Sequence, residues 1–389
     1  MNTVAATPIA LLGAGPVGLA TAILLQRAGF APTVFDARPL DAARADGRLL
    51  ALSHGTWQVL QPVLGAHRPP MAPIVDVHVS SAGEFGATRI GARDLFAGPE
   101  PLGATVHYGE LVAALAAAAD QAGVPVRRPV RVTDVTARAD GVTVRLAPAD
   151  GSAAAFDAAL AIHAEGAPRS TAGAHGAEAL AAWALVCDLQ LQGAAPGDAF
   201  ERFTREGPLA LLPAPSDAGP AWSLVWCMDE AQAQRRGALT DAAFRIELQQ
   251  AVGPRIARIV ACGPRRAMAL PQQLRAQVAE QRVVWIGNAA QTLHPVAGQG
   301  LNLGLRDGMT LVDCLSLARD DVPAALAEYA RRRARDRVLV RNLTRWMPSL
   351  FAARWMPLAW ARSLGLTTLD LVPPLRRQWA RLLMFGVRD

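Results

Sequence analysis

Residues Ile9 to Asp36 read "IALLGAGPVGLATAILLQRAGFAPTVFD", and this stretch alternates apolar runs with glycine-rich breaks. The run "IALL" predicts a buried strand, and "GAGPVG" after it predicts a tight turn. A helix is predicted over residues 16–28, because Pro16 suits a first helical turn and Gly29 suits the exit. "PTVFD" then predicts a second strand that ends at Asp36. The stretch therefore predicts a strand, helix, strand unit.

The spacing of the glycines in this unit indicates a dinucleotide site. Gly13, Gly15 and Gly18 form a GxGxxG pattern between the strand and the helix. Gly13 permits the turn, Gly15 lets a pyrophosphate approach the helix N-terminus, and Gly18 allows close helix packing. Asp36 can bind a ribose hydroxyl, which favours FAD or NAD(H) over NADP(H). The alternative is a glycine-rich turn of the kind found in any α/β protein.

The composition predicts a folded protein of a reducing compartment. The chain has 389 residues, of which 51% are hydrophobic, enough for two domains or for one large domain with an elaboration. The four cysteines show no CxxC pair, so neither a disulfide framework nor a zinc site is indicated. The seven histidines are dispersed, and no metal is expected. We expect a cytoplasmic protein.

The positive charge is concentrated at the C-terminal end. The net charge is +6, but residues 319–389 hold 14 Arg and 6 acids, or +8, and the remainder holds 25 Arg and 27 acids, or −2. This uneven distribution argues against nucleic acid as a partner. The same segment carries the tryptophans Trp346, Trp355, Trp360 and Trp379.

A helical wheel of the last residues separates apolar from basic side chains. Leu375, Trp379, Leu382 and Leu383 lie on one side, opposite Arg377, Arg381 and Arg388. Two interpretations stay open: a segment that docks on the inner face of a membrane, or helices packed on the rest of the protein with arginines outward.

A second glycine-rich stretch, "IGNAAQTLHPVAGQGLNLGLRDG", runs from Ile286 to Gly308. It follows "RVVWI", which predicts a returning central strand, and Asn288 would lie at the carboxyl end of that strand, where α/β sheets bind ligands. A helix is predicted over residues 301–319. Its first N–H groups would favour negative charge, such as that of a reduced flavin.

The segment "HPVAGQGLNLGLRD", from His294 to Asp307, resembles the signature of the ubiquinone-biosynthesis hydroxylases, a branch of the single-component FAD-dependent aromatic monooxygenases. Further similarity lies in "GAGPVGLATAILLQRAG", "VFDAR", "GRLLALSHGTWQVL" and "AEG". The segment "GNAAQTLHP" is similar to the 2-polyprenyl-6-methoxyphenol hydroxylase subgroup. Many relatives have an acid and a histidine where Asn288 and Gln291 stand.

The resemblance implies a role for each residue of the two motifs. Gly13, Gly15 and Gly18 would cradle the FAD pyrophosphate, Asp36 would hold the adenosine ribose, and Arg48 would contact the cofactor near the ribityl and pyrophosphate. Gly287 and Asn288 would lie at the ribityl chain, and Glu165 would join the cofactor site from the middle motif. The residues bordering the isoalloxazine would be Pro295, Gly298, Gln299, Gly300, Leu301 and Asn302.

His294 and Pro295 are the candidate catalytic residues beside the flavin. His294 could assist deprotonation of a phenol, or it could be a satisfied structural histidine. Two departures from the family bear on the chemistry. The middle motif has Glu165 and Gly166 with its serine one residue out of step, at Ser170, and Glu110 stands where relatives often carry Arg or Gln.

The resemblance implies hydroxylation of a polyprenylated phenol in ubiquinone biosynthesis, with NADH or NADPH and O2, through a C4a-hydroperoxyflavin. A ubiquinone-biosynthesis complex and a membrane surface are the expected partners. Two alternatives stay open: a related hydroxylase of a soluble aromatic compound, and a non-catalytic flavin-binding subunit of a membrane-associated biosynthetic complex.

The expected fold is α/β (α+β): a Rossmann-like FAD-binding domain interrupted by a mostly antiparallel substrate-domain sheet, with a C-terminal helical segment. The FAD-binding domain is expected at residues 1–72, 106–176 and 276–325. Substrate-domain strands are expected at 73–105, the substrate-domain sheet at 177–275, and the basic helical segment at 326–389.

Overall fold

The structure of the protein is a computed structural model that describes residues 7–84, 86–148, 151–166, 182–254, 256–270, 273–292, 299–334, 336–337, 364–365, 367–368 and 370–385. No helix among these residues is long and apolar enough to cross a membrane.

The strands in chain order are β1 (Pro8–Leu12), β2 (Ala31–Phe35), β3 (Leu49–Ser53), β4 (Ala72–Ile74), β5 (Asp76–Ser81), β6 (Ala87–Gly91), β7 (Gly103–His107), β8 (Val126–Arg127), β9 (Val130–Ala137), β10 (Val142–Pro148), β11 (Ala154–Ala158), β12 (Leu160–His163), β13 (Ala182–Gln192), β14 (Asp198–Phe203), β15 (Pro208–Ala214), β16 (Ala221–Met228), β17 (Arg258–Cys262), β18 (Arg266–Leu270), β19 (Gln273–Leu274), β20 (Ala279–Glu280), β21 (Val283–Trp285) and β22 (Gln291–Thr292).

The α-helices are α1 (Pro16–Arg27), α2 (Leu40–Arg44), α3 (His54–Leu64), α4 (Tyr108–Gln121), α5 (Glu230–Gly237), α6 (Asp241–Val252), α7 (Gln299–Leu317), α8 (residues 322–334) and α9 (Pro373–Phe385). Short 3-10 turns occur at Ala92–Asp94 and Gly287–Ala289.

A six-stranded sheet in the order β20, β21, β12, β1, β2, β8 forms the nucleotide-binding half of the fold. The five strands from β21 to β8 are parallel, and β20 pairs with β21 in the antiparallel sense. The unit predicted over residues 9–36 is confirmed as β1, α1 and β2. The strand predicted at residues 282–286 is confirmed as β21, which lies inside the sheet between β12 and the two-residue strand β20.

Alternate residues of β1 face two different layers. Ile9 and Leu11 pack with the helices α1, α4 and α7, whereas Ala10 and Leu12 pack with the antiparallel strands β9, β10 and β11. Because both faces are covered, β1 is an uninterrupted apolar run rather than an alternating one. The sheet therefore lies between a helical layer and a three-stranded meander.

A second sheet holds the strands expected for the substrate domain. Its order is β17, β13, β16, β15, β14, β5, β6, with β18 also paired to β13. Neighbours are antiparallel except β14 and β5, which are parallel. Its core contains Trp222 and Trp226 together with Phe244 of α6. The mostly antiparallel sheet expected for the substrate domain is confirmed.

The C-terminal helix α9 packs on the rest of the chain near this second sheet. Ala380 is 2% exposed and joins a buried cluster with Ile74, Ile90 and Leu102. Nη2 of Arg376 lies 2.9 Å from Oδ1 of Asp94, so an ion pair fixes the helix at the same place. Trp346, Trp355, Trp360 and Arg388 lie outside the described residues, as do the side chains of Trp379, Leu382 and Leu383.

Candidate functional site

Four parallel strands end at one edge of the six-stranded sheet, and each carries a predicted site residue just beyond its end. Gly13 follows β1, Asp36 follows β2, Glu165 follows β12, and Asn288 follows β21. Carboxyl ends of parallel strands lie side by side, and ligands of α/β sheets bind outside them. The structure thus brings together residues that are up to 275 positions apart in the sequence.

The glycine-rich loop after β1 has no space for side chains. Gly13 has a φ of 105°, and a Cβ on it would lie 2.6 Å from the backbone of Ala164. A Cβ on Gly18 would lie 1.9 Å from the carbonyl oxygen of Gly13. Gly15 precedes α1, and no side chain caps this helix. The first N–H groups of α1 are therefore available to a phosphate.

Asp36 is oriented by two backbone N–H groups. Its Oδ2 accepts from the N–H of Ala14 at 2.7 Å, and its Oδ1 accepts from the N–H of Arg38 at 2.7 Å. The carboxylate is thereby held beside the glycine-rich loop. A carboxylate in this place suits the ribose hydroxyls of a dinucleotide bound at the loop.

Two arginines contact Tyr108, whose hydroxyl lies close to Gly15 at the start of α1. Nη2 of Arg38 donates to the Tyr108 hydroxyl at 3.0 Å, and the Arg48 guanidinium lies 4.7 Å from the centre of the Tyr108 ring. Arg48 is also paired with Asp46 at 2.7 Å, and this hydrogen bond raises the pKa of Arg48. Arg48 therefore lies in the predicted neighbourhood, but Asp46 already neutralises much of its charge.

Arg128 reaches the glycine-rich loop from the end of β8. Its Nη2 donates to the carbonyl oxygen of Ala14 at 2.6 Å. Its Nη1 is buried and has no partner within the described part of the chain. Burial lowers the pKa of Arg128, and the nearby charge of Asp36 acts in the opposite direction. An unsatisfied cationic donor beside an uncapped helix N-terminus fits the pyrophosphate of FAD.

The turn after β21 forms the second part of the site. Gly287 has a φ of 58°, its N–H donates to Oδ2 of Asp307 at 3.0 Å, and the next residue, Asn288, is exposed. Oδ1 of Asn288 would lie 3.8 Å from a Cβ on Gly300 in the first turn of α7. Asn288 therefore lies beside the N-terminus of α7, which suits a polar contact to the cofactor.

Asn302 joins α7 to β3 through its side chain. Its Oδ1 accepts from the N–H of Ser53 at 3.0 Å, and its Nδ2 donates to the carbonyl oxygen of Ala51 at 3.3 Å. Ser53 also caps α3 by accepting from the N–H of Thr56. Any contact of Asn302 with a flavin would thus involve its backbone rather than these side-chain atoms.

The two departures from the family motif occupy different environments. Glu165 is 49% exposed at its side chain and pairs with Nδ1 of His163 at 3.0 Å, and the ring of His163 stacks on Trp285. Glu110 is exposed in the first turn of α4. The Glu165 carboxylate is therefore engaged by its own strand rather than by the glycine-rich loop.

His294, Pro295 and Gly298 lie outside the described residues, and so does the side chain of Gln299. Gln291 is 3% exposed, and its Oε1 has no partner within the described ranges. Leu301 is partly buried against the core that includes α1 and α7.

Sequence reasoning did not single out Arg38, Tyr108 or Arg128 as site residues. Arg38 stands in the quoted segment "VFDAR", so proximity to Asp36 was a usable signal. The other two come from distant parts of the chain, and no local pattern marks them. Among the described residues, no cluster of His, Cys, Asp or Glu could hold a metal ion.

Comparison with known proteins shows the family of this chain. Residues 6–342 match the family described as FAD binding domain. The chain is 29% identical to ubiquinone hydroxylase UbiL of Rhodospirillum rubrum over 96% of this chain and 88% of that protein. It is 32% identical to 3-demethoxyubiquinol 3-hydroxylase of Escherichia coli over 47% of each chain.

The fold is also that of p-nitrophenol 4-monooxygenase PnpA from Pseudomonas putida. The TM-score is 0.74 at 16% identity, with 99% of both chains covered. The predicted family, mixed α/β fold and FAD cofactor are confirmed. The chain belongs to the FAD binding domain family and is a FAD-dependent monooxygenase.

Proposed function

We propose that the protein hydroxylates a phenol that carries a polyprenyl chain, in ubiquinone biosynthesis, with NADH or NADPH as reductant and O2 as cosubstrate. The observation that carries the proposal is the two-part site at the sheet edge, combined with similarity to a named ubiquinone hydroxylase along nearly the whole chain. Bound FAD would supply the redox chemistry.

In this proposal the protein binds and orients the cofactor. The N-terminus of α1 and Arg128 bind the pyrophosphate, Asp36 binds the adenosine ribose, and Asn288 contacts the ribityl chain. Gly300 and the residues that follow it at the start of α7 would present backbone N–H groups toward the flavin. On sequence grounds alone, His294 is the candidate to accept the phenol proton, and Pro295 would shape the backbone beside it.

An apolar pocket supports a prenylated substrate. The pocket has a volume of about 230 Å³ and is lined by His54, Trp57, Met71, Pro73, Pro101, Gly103 and Ala104. His54 follows Ser53, whose N–H is bound by Asn302 at the start of α7. The apolar lining of the pocket suits a hydrocarbon chain.

The exposed side chains of the C-terminal segment support the proposal that the protein takes its substrate from a membrane surface. Leu364, Leu371 and Leu375 are 60%, 74% and 45% exposed, and Arg377 and Arg381 are also exposed. Exposed leucines beside arginines suit the interface of an anionic bilayer. We therefore propose peripheral docking through this segment. The domain boundaries given above also stay proposals, with residues 177–275 as the substrate side.

A purified holoenzyme distinguishes the candidate functions. We expect NAD(P)H oxidation that is stimulated by prenylated phenols and coupled to a product heavier by one oxygen atom, with KM falling as isoprene units are added. Equal KM for short and long chains would favour a soluble aromatic substrate. Bound FAD without any phenol-stimulated turnover would favour a non-catalytic subunit, an alternative for which the Glu165 and His163 pair is the structural argument.

Deletion of the gene identifies the physiological substrate. Accumulation of a methoxylated polyprenylphenol is the expected result for the proposed subgroup. Normal quinone levels in a strain without a second hydroxylase would contradict the proposal.

A further inference from the structure

A buried carboxylate holds the turn that carries Asn288. Asp307 lies in α7 and is 2% exposed, and its Oδ2 accepts the N–H of Gly287 at 3.0 Å. Gly287 adopts a left-handed conformation with a φ of 58°. Asn288 is the next residue, so the hydrogen bond fixes the backbone from which the Asn288 side chain projects.

The same carboxylate is paired with a buried arginine. Oδ1 of Asp307 lies 2.6 Å from Nε of Arg333, which is 4% exposed in α8. Arg333 also contacts Asp336. Burial raises the pKa of Asp307, against the opposing effects of the Arg333 charge and the Gly287 N–H. A buried ion pair contributes little net stability compared with apolar side chains of the same volume, so its presence calls for another explanation.

The Gly287 turn also contacts the helix that begins at the glycine-rich loop. A Cβ on Gly304 of α7 would lie 2.8 Å from Val17 of α1 and 3.0 Å from the Cα of Gly287. Helix α1, the turn and α7 therefore meet without free space. A displacement of Gly287 would move Asn288 relative to both helix N-termini that face the cofactor.

We propose that Asp307, held in place by Arg333, is a positioning residue of the FAD site that sets the placement of Asn288 through the Gly287 N–H. The inference rests on FAD binding and on the proposed contact of Asn288, and it is independent of the substrate. A carboxylate is required because it accepts from two donors at once. An amide has one acceptor oxygen and would turn an NH2 group toward the other donor.

Asp307→Asn tests the proposal, and two variants serve as matched controls. Asp313→Asn makes the same chemical change on an exposed residue of α7, and Tyr329→Phe removes the hydrogen bond from α8 to the carbonyl oxygen of Trp285. We expect Asp307→Asn to weaken FAD binding to the apoprotein by about tenfold or more and to alter the visible spectrum of bound flavin. Both controls should bind FAD as the wild type does.

Arg333 supplies a second test in case Asp307→Asn does not fold. Arg333→Lys keeps the charge and one donor, so it should retain more FAD affinity than Arg333→Met. Thermal unfolding of the apoproteins measures how much each Arg333 substitution destabilises the fold, separately from its effect on FAD affinity. Equal FAD affinity for folded Arg333→Met and wild type would overturn the proposal.

A double-mutant cycle locates the effect at Asn288. If Asp307 acts through Asn288, Asp307→Asn will cause little further loss of FAD affinity in an Asn288→Ala background. Independent, multiplying losses would show that Asp307 supports the fold but does not position Asn288. Because FAD affinity is measured without substrate, a failure of the proposed hydroxylation leaves this test intact.

Discussion

Gly15 faces Tyr108 so closely that a Cβ on Gly15 would lie 3.2 Å from the tyrosine hydroxyl oxygen. A hydroxyl at the end of a ring can shift by a few tenths of an ångström, so Gly15→Ala should fold. The added methyl group would occupy space at the N-terminus of α1, and we expect FAD affinity to fall by about tenfold or more.

Gly18→Ala is the contrasting variant. Its Cβ would lie 1.9 Å from a backbone oxygen, so we expect overpacking to destabilise the apoprotein by about 3 kcal/mol. Calorimetry of the Gly15→Ala and Gly18→Ala apoproteins measures the stability of each variant, and titration with FAD measures its affinity for the cofactor. An equal loss of stability in Gly15→Ala and Gly18→Ala would contradict the prediction that only Gly18→Ala disturbs the packing of the apoprotein.

Arg128→Met should weaken FAD binding with little effect on the stability of the apoprotein. The variant removes a cation whose Nη1 has no partner among the described residues, and the one hydrogen bond that it loses, from Nη2 to the carbonyl oxygen of Ala14, contributes about 1 kcal/mol. We expect about a tenfold loss of FAD affinity, because hydrogen bonds to charged groups are among the stronger ones. Arg131→Met, which changes an exposed arginine of β9, is the control and should bind FAD normally.

Gly308→Ala should destabilise the protein, although alanine normally favours a helix. A Cβ on Gly308 would lie 2.1 Å from Oγ1 of Thr21, where α7 crosses α1. We expect a loss of about 1–3 kcal/mol in unfolding free energy. Thr21→Ala in the same chain should recover part of it, and Gly47→Ala, where a Cβ meets nothing within 4 Å, should be neutral.

The ionised Glu247 carboxylate should stabilise the folded protein at neutral pH, and this contribution should disappear at low pH. Hydrogen bonds from Arg235, together with those from Arg236 and against the effect of burial, lower the pKa of Glu247 to about 2. A carboxyl group with a lowered folded-state pKa stabilises the protein above its unfolded pKa, and this contribution is lost as the pH falls toward 2. Because the side chain is partly solvated, the contribution is about 1 kcal/mol or less.

The melting temperatures of wild type and Glu247→Gln, measured across a pH range, test the direction of this pH dependence. We expect the largest difference above about pH 5 and convergence as the pH approaches 2. Asp217→Asn, in an exposed turn, should show no such trend. A difference that grows on acidification would refute the assignment.

The double variant Leu371→Glu, Leu375→Glu should bind anionic vesicles about tenfold less well than wild type, because two exposed apolar side chains would no longer enter the interface. Ile246→Glu is the matched control, since Ile246 is 60% exposed on α6, outside the C-terminal segment. Sedimentation with phosphatidylglycerol vesicles measures binding. An equal loss in the control would argue against docking through the C-terminal segment.

Local patterns in the sequence were sufficient to predict the β1, α1, β2 unit, which forms part of the site at the carboxyl ends of the parallel strands. The glycine spacing and Pro16 predicted the β1, α1, β2 unit. These features could be predicted because turns, caps and helix starts depend on residues a few positions apart. The family signature added the FAD cofactor, which composition and periodicity alone did not specify.

Strand order and long-range contacts required the folded chain. Strand β21 lies between β12 and β20, and β20 has only two residues, too few to show any periodicity in the sequence. Arg128 contacts Ala14 across 114 positions, and Arg333 contacts Asp307 across 26. In a sequence with 39 basic residues, no local pattern distinguishes these two arginines. The packing of separate elements gives these two arginines their roles. It buries one beside a helix N-terminus and the other beside a carboxylate, whereas most other arginines that the structure describes have no such surroundings.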